Sequence, residues 1–338
     1  MNRRGFLRFA TCGGAGLALA IAGCGAPQDT ATALRLSGPA LAESLPLLLL
    51  QRTLQSQGRQ AAFTPWQSPD QLRSLISADT VDAAVLTITA AAVLYNRGVR
   101  LQVAALTEPS LWIVSTTPEL RSLEQLHAQE VCLPFGPGDT PDLLLRCLAD
   151  RLNVTLQPRH TGGSLEAVNL LLAGRARHAF LSEPAASLAV RRTADAGGCV
   201  LRKAVDVRET WAEAFPESPR LAHGALAVFA SRSDIPAPRP LVARCEEPDS
   251  LDWLRAAYLR EAALVARDPH QAAMLAIEVF PDLGRQTVDG IVPGSDLRPA
   301  IGSQGRDAAQ FLLARLFELS PKALGGKLPG PGFLELGQ

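Results

Sequence analysis

The chain has 338 residues, 47% of them apolar and 20% charged, with 33 basic and 33 acidic side chains. That length admits two ordinary domains. A formal net charge of zero with no basic stripe argues against nucleic acid. Past the first 24 residues no apolar run approaches the ~20 residues of a spanning helix.

Residues 1–24 read as an export address and not as fold. Arg3, Arg4 and Arg8 lead into a short Gly- and Ala-rich stretch from Ala10 to Ala22, and no acidic residue precedes Asp29. This is the layout of a signal peptide. Asn2-Arg3-Arg4-Gly5-Phe6-Leu7-Arg8 resembles the twin-arginine export motif; the plainer reading is an ordinary secretory signal with adjacent arginines. Ile21-Ala22-Gly23-Cys24 resembles a lipobox. The resemblance implies that Cys24 is the lipidated first mature residue, anchored by acyl chains at about 0.8 kcal/mol per buried CH₂. Residues 25–32 form a polar tether. Of six cysteines, Cys12 leaves with the signal, so Cys132, Cys147, Cys199 and Cys245 remain. None has CxxC spacing, and their pairing stays open outside the cytoplasm. Buried free thiols are the simpler expectation.

Beyond the tether, strand and helix signals alternate. Strands are expected at 33–36, 61–63, 82–86, 103–106 and 111–114, with helices at 45–54, 70–76 and 90–96 between them, the last closed by Gly98. A second set follows: a short helix at 122–127, a strand at 130–133, a helix at 141–152, a strand at 155–157, a helix at 165–172 closed by Gly174, and a strand at 178–181. The apolar run 224–230 reads as a strand returning to the first sheet. Helices at 251–266, 270–280 and 308–319 finish the chain. Two such βαβ sets predict an α/β protein of two lobes, each a mainly parallel sheet flanked by helices. Lobe 1 is expected to comprise 33–114 plus 223–338, and lobe 2 115–222, with two crossings as a hinge.

Several stretches carry a family resemblance. They are Ser37-Gly38-Pro39 with Glu43-Ser44-Leu45-Pro46-Leu47; Trp66-Gln67-Ser68-Pro69-Asp70 with Asp82-Ala83-Ala84-Val85; Leu181-Ser182-Glu183-Pro184-Ala185; and Gly325-Gly326-Lys327-Leu328-Pro329. In this order they resemble the type II periplasmic binding proteins of ABC importers, closest to the nitrate/sulfonate/taurine and thiamine-precursor group. The resemblance implies the two-lobed periplasmic-binding-protein type II fold, a periplasmic or envelope location, an ABC permease as partner and a monomer without cofactor. It also implies a first ligand loop at 37–47. Many members have an aromatic before the Glu-Pro pair; here it is Ser182.

In open α/β sheets ligands sit beyond the carboxyl ends of strands, against helix N-termini. Four loops meet that rule. In Ser37, Gly38, Pro39, Glu43 and Ser44, Ser44 is placed as N-cap, with Pro46 inside the first turn. Thr87 and Thr89 offer two hydroxyls that bind a ligand or merely cap. Phe135, Gly136 and Thr140 belong to a Gly/Pro loop, with Thr140 as N-cap and Pro141 at N1. Glu183 takes a ligand donor, pairs with an Arg or serves a helix start. Trp66 is a stacking or core residue, and His223 lies near the hinge, where a lone histidine is commonly structural. HExxH, CxxC, GxSxG, Walker and GxGxxG patterns are missing, and the five histidines are scattered, so no metal or catalytic site is expected. The expected function is delivery of a small polar or anionic organic solute to an ABC permease. A sensor or accessory lipoprotein of the same fold is the other reading.

Overall fold

The computed structural model describes residues 33–196, 200–230, 250–281, 297–300 and 302–334. The export segment, Cys24, the tether, Cys199 and Cys245 lie outside the described residues.

The first sheet is built from short apolar runs. β1 (Leu34–Gly38), β2 (Ala61–Pro65), β3 (Ala83–Thr87) and β4 (Leu101–Thr107) alternate with α1 (Leu45–Ser56), α2 (Pro69–Ser77) and α3 (Ile88–Asn96). β1 runs parallel to β2 and β3. β10 (Gly224–Phe229) returns between β3 and β4, antiparallel to both. With β11 (Pro299–Ala300) at the edge, the sheet order is β11-β4-β10-β3-β1-β2. Gly224 is required where β10 enters: a Cβ there would lie 2.3 Å from Thr107 Oγ1 and 3.0 Å from Pro109 Cγ. β1 is pinned to the turn before β3 by Arg35, whose Nε and Nη2 reach Asp82 at 3.1 and 2.5 Å. Such a fork is the geometry in which an arginine–carboxylate pair is strongest.

The second sheet holds β5 (Leu111–Ser115), β6 (Glu130–Pro134), β7 (Gln157–Thr161), β8 (His178–Ser182) and β9 (Arg202–Asp206) in the order β7-β6-β8-β5-β9. β6 is parallel to β7 and β8, whereas β5 runs against β8 and β9. Its helices are α4 (Thr140–Arg151), α5 (Ser164–Leu172), α6 (Ala185–Ala196) and α7 (Val207–Ala214). α8 (Ser250–Arg267) and α9 (Pro269–Val279) pack on α1, and α10 (Gly302–Leu319) packs on α3 and α4.

Several details differ from the sequence expectation. The strand at 111–114, placed with the first lobe, pairs wholly within the second sheet, so the first crossing is the short turn 108–110. A run buried on both faces does not announce which sheet it joins. The expected helix at 122–127 is a single 3₁₀ turn, Glu124–Leu126, and β7 starts at Gln157 where a strand over 155–157 was expected. α6, β9 and α7 had no clear signal. β9 is an edge strand with only Val205 buried, and its alternation is correspondingly weak. On α5, Leu165 is exposed and the buried face is Ala167, Val168, Leu170 and Leu171.

One apolar cluster runs through both lobes. It joins Leu86, Ile88 and Leu106 of the first to Ile113, Leu133, Leu144 and Phe180 of the second, and to Ala309, Leu312 and Leu316 of α10. At its margin Phe311 meets Trp211 and Phe215 at centroid distances of 6.3 and 5.6 Å. α10 is therefore a shared wall, not the property of one lobe.

Candidate functional site

The carboxyl ends of β1, β3, β6 and β8 face a common gap, and the candidate loops hang from them. In the first loop the polar groups are already engaged. Ser37 Oγ donates to Thr64 O at 2.7 Å and Ser44 Oγ to Pro39 O at 2.7 Å; both serines are fully buried. Ser44 holds the N-cap position but has helical backbone and makes no side-chain cap. A 3₁₀ turn, Ala42–Ser44, leads into α1, so the amides of Ser44 and Leu45 donate to Leu41 O and Ala42 O. Two of the expected free N–H groups are consumed by that turn. Gly38 is held by close approach: a Cβ would fall 2.2 Å from Ser44 Oγ. Glu43 turns inward, with Oε2 lacking a partner among the described residues and Tyr258 Oη donating to its backbone oxygen at 2.9 Å. Burial pushes its carboxyl up to about 7.

The Phe135–Thr140 loop is also filled from within. The N-cap is Asp139, in extended conformation, which makes Thr140 the first helical residue and corrects the expected cap by one position. Asp139 Oδ2 accepts from Gly136 N and Asp142 Oδ2 from Gly138 N, each at 2.8 Å. The chain's own carboxylates therefore sit where an anion would approach α4. A Cβ at Gly136 would meet only Asp139 Oδ2, at 3.6 Å, so crowding does not demand glycine there. Phe135 has φ 69° and bridges to Thr161. At the start of α6, Glu183 Oε2 accepts from Ser187 N at 3.1 Å, and Oε1 pairs with Lys203 of β9. Lys203 also lies over the Trp112 ring at 5.3 Å.

Three candidates do meet. Thr89 Oγ1 lies 2.5 Å from Thr140 Oγ1, Thr140 Oγ1 lies 3.0 Å from Thr87 Oγ1, and Thr87 and Thr89 are 3.0 Å apart. Thr87 also caps α3 by accepting from Ala90 N. This hydroxyl group joins the two lobes across the gap. Elsewhere lies an apolar crevice of about 10 Å³, roughly the room of one water molecule. Ala40, Leu41, Ala42 and Leu45 line it from the first lobe, Pro184 from the second, and Ala276 and Phe280 from α9 and its end. The lining carries no charged side chain. It is far below the ~300–1,000 Å³ of a drug-sized pocket, so the crevice as it stands has no room for a solute.

Trp66 and His223 stand apart from this group. The Trp66 amide donates to Gly38 O at 3.2 Å, its indole packs on the core, and Nε1 has no partner among the described residues. His223 is buried beside β10, with Nδ1 3.1 Å from Leu221 O, and burial pushes its pKa down to about 4. It is neutral, its Nδ1–H donating to that carbonyl. Its backbone oxygen accepts from Ile88 N at the head of α3.

The architecture matches solved structures over most of its length. An ABC transporter from Parabacteroides distasonis shares 21% identity and a TM-score of 0.68, covering 91% of this chain and 100% of its own. The periplasmic aliphatic sulphonate binding protein of Escherichia coli gives 13% and 0.62, covering 86% and 93%. The fold is that of the type II periplasmic binding proteins. The periplasmic nitrate-binding protein from Synechocystis PCC 6803 is a further match, at 11% identity and a TM-score of 0.58 over 87% and 84%. No protein-family model and no curated protein matches the sequence.

Within this periplasmic-binding-protein fold, the sequence reading missed the meeting of Leu41 with Ala276 and Phe280 around the apolar crevice. An apolar residue in a loop gives no signal of its distant partners, and α9 lies far along the chain. It also missed the brace at the crossings, where Arg220 Nε meets Glu108 Oε1 at 2.5 Å. Cys132 and Cys147 are free and buried, their thiols pushed up by burial. Among the described residues no group of three His, Cys, Asp or Glu is placed to hold a metal, and no helix is long and apolar enough to cross a membrane.

Proposed function

We propose that this chain is the extracytoplasmic, lipid-anchored solute receptor of an ABC uptake system, and that it binds rather than transforms its ligand. The observation that carries the reading is the convergence of Thr87 and Thr89 of one lobe with Thr140 of the other. A small organic solute fits that arrangement. Its polar or anionic end addresses the hydroxyls. The solved relatives named for ABC transport, sulphonate and nitrate support the same class. Cys24 supplies the anchor and the permease is the partner.

A thermal-shift screen of the purified protein tests the ligand. It spans alkyl and aryl sulfonates, nitrate, bicarbonate, pyrimidines and flavins. A bound solute at a hundredfold excess over Kd stabilises by about 2.7 kcal/mol, a rise of several degrees. An anionic solute is expected to give the largest shift; silence across the whole panel would count against a solute receptor. The anchor has its own test. Cys24→Ala should move the protein from the membrane fraction to the soluble one, and continued sedimentation with membranes would remove lipidation from the reading.

A further inference from the structure

The far end of α3 from Thr87 is cationic, and solute binding makes no use of it. The turn 97–100 leads there from α3 into β4, and the C-terminal segment is bound onto it. Asn96 Nδ2 donates to Leu324 O at 2.6 Å and to Lys327 O at 2.7 Å, and Gly325 N donates to Lys322 O at 3.1 Å. The Tyr95 and Phe333 rings add a contact at 5.3 Å. These bonds bring the main chain of Lys322 and Lys327 beside Arg97. All three side chains are exposed, and none has an ion-pair partner among the described residues. Leu328, next to Lys327, is 45% exposed. The acids before β3, Asp79 and Asp82, face Arg35 instead, at 3.8 and 2.5 Å.

The path of the chain points to the occupant of this surface. β1, β3, β10 and β4 are consecutive neighbours in the sheet, and β1 and β4 start at the same end. Three strand spacings, about 14 Å, separate those two starts. Nine residues, Gly25 to Ala33, lead to β1, and they span at most about 30 Å. Acyl chains on Cys24 therefore keep this end of the first lobe within reach of the bilayer. Overall charge does not supply an attraction. Once Arg3, Arg4 and Arg8 leave with the signal, 30 basic residues stand against 33 acidic ones. Attraction to an anionic surface is then a local property. Cations around an exposed leucine suit such a surface, the charges lying at the headgroups and the apolar side chain at the acyl boundary.

We propose that Arg97, Lys322, Lys327 and Leu328 form a docking surface for anionic phospholipid, on which the anchored receptor rests. The proposal rests on the reading of Cys24 as the anchor for its purpose, but its test needs no anchor. Lipid contact at this end leaves the threonine group, at the other end of α3, uncovered for solute.

Residues 32–338 form one compact unit, separate from 1–31, so a chain beginning at Gly25 keeps the whole fold. That unlipidated chain is sedimented with vesicles of phosphatidylcholine alone and of phosphatidylcholine with phosphatidylglycerol. It is expected to sediment with the anionic vesicles at low salt, to be released by high salt, and to ignore the neutral ones. Replacing Arg97, Lys322 and Lys327 by Gln should weaken partitioning roughly fivefold per cation, on the order of a hundredfold together. A control triple, Arg52, Arg73 and Arg121 to Gln, changes the net charge equally at other exposed sites and should lose little. Melts confirm that both triples are folded, and the single variant Lys327→Gln stands in if the first is not. No sedimentation of the wild-type chain with anionic vesicles would overturn the docking surface, as would equal binding to neutral ones or equal losses in the two triples. None of these outcomes bears on the anchor, which Cys24→Ala tests separately.

Discussion

Two buried titratable residues, Glu43 and His223, pull the stability of the fold in opposite directions with pH. Glu43 has no charge partner among the described residues; desolvation raises its carboxyl from the usual 4.5 to about 7, against a smaller opposing hydrogen bond from its own backbone. The folded chain keeps a proton that the unfolded chain gives up. Stability contributed by that proton is complete below about pH 4.5, falls as pH rises to 7, and is gone above it. His223 is the reverse, lowered by desolvation from 6.5 to about 4. The unfolded chain protonates below 6.5 while the folded one refuses, so stability falls as pH drops from 6.5 towards 4. Glu43→Gln isolates the first effect, because the amide is neutral throughout. The melting temperature of the variant relative to wild type should be higher at pH 8 than at pH 5. An equal difference at the two pH values would mean that Glu43 is ionised in the folded chain.

At the scale of elements, α10 decides whether the lobes are independent. Its Ala309, Leu312 and Leu316 belong to the same apolar cluster as residues of both sheets. Leu312 is fully buried, and Leu312→Ala should cost about 2–5 kcal/mol. Because the core is shared, the loss should appear as one shifted urea transition; two separate transitions would mean that the cluster parts between the lobes. The sequence made most of these elements readable. β1, β3 and β4 are short apolar runs, and Gly98 and Gly174 end α3 and α5 with φ of 86° and 65°. α6 was not readable, since its first turns bury mostly alanine and carry little period. The candidate site was legible only in pieces. Thr87, Thr89 and Thr140 each stood out as strand-end or cap hydroxyls, but residues 51 positions apart meet only through the crossing of two sheets. The filling of the loop before α4 by Asp142 was invisible, because an acidic first-turn residue looks the same whether it caps its own loop or awaits a ligand, and for Glu183 the helix-start role was one of three readings that the sequence left open.

The whole molecule depends on two crossings. The chain leaves the first sheet at 108–110 and comes back through 215–223, and the two passes are tied to each other. Arg220 Nε reaches Glu108 Oε1 at 2.5 Å and Arg220 Nη2 reaches Pro299 O at 3.0 Å. Arg208 Nη1 donates to the Glu108 backbone oxygen at 3.2 Å, and Glu108 N donates to Leu297 O at 2.9 Å. Glu108 is thus the point where both passes and the β11 edge meet. Its side chain is 7% exposed and that of Arg220 32%, so the pair is neither a surface ion pair of little worth nor a fully desolvated one. Removing the arginine leaves a buried carboxylate without its cation, which costs more than the pair itself contributes. Arg220→Met keeps the apolar stem and should lower stability by about 1–3 kcal/mol, the solvent-discounted part of the buried-pair penalty. Glu108→Gln added to it removes the stranded charge, so the double variant should be more stable than Arg220→Met alone. Urea midpoints of the wild type, both single variants and the double variant complete the cycle. If the double variant loses the sum of the single losses, the two side chains do not interact, and the crossings are held by backbone pairing and Arg208 alone.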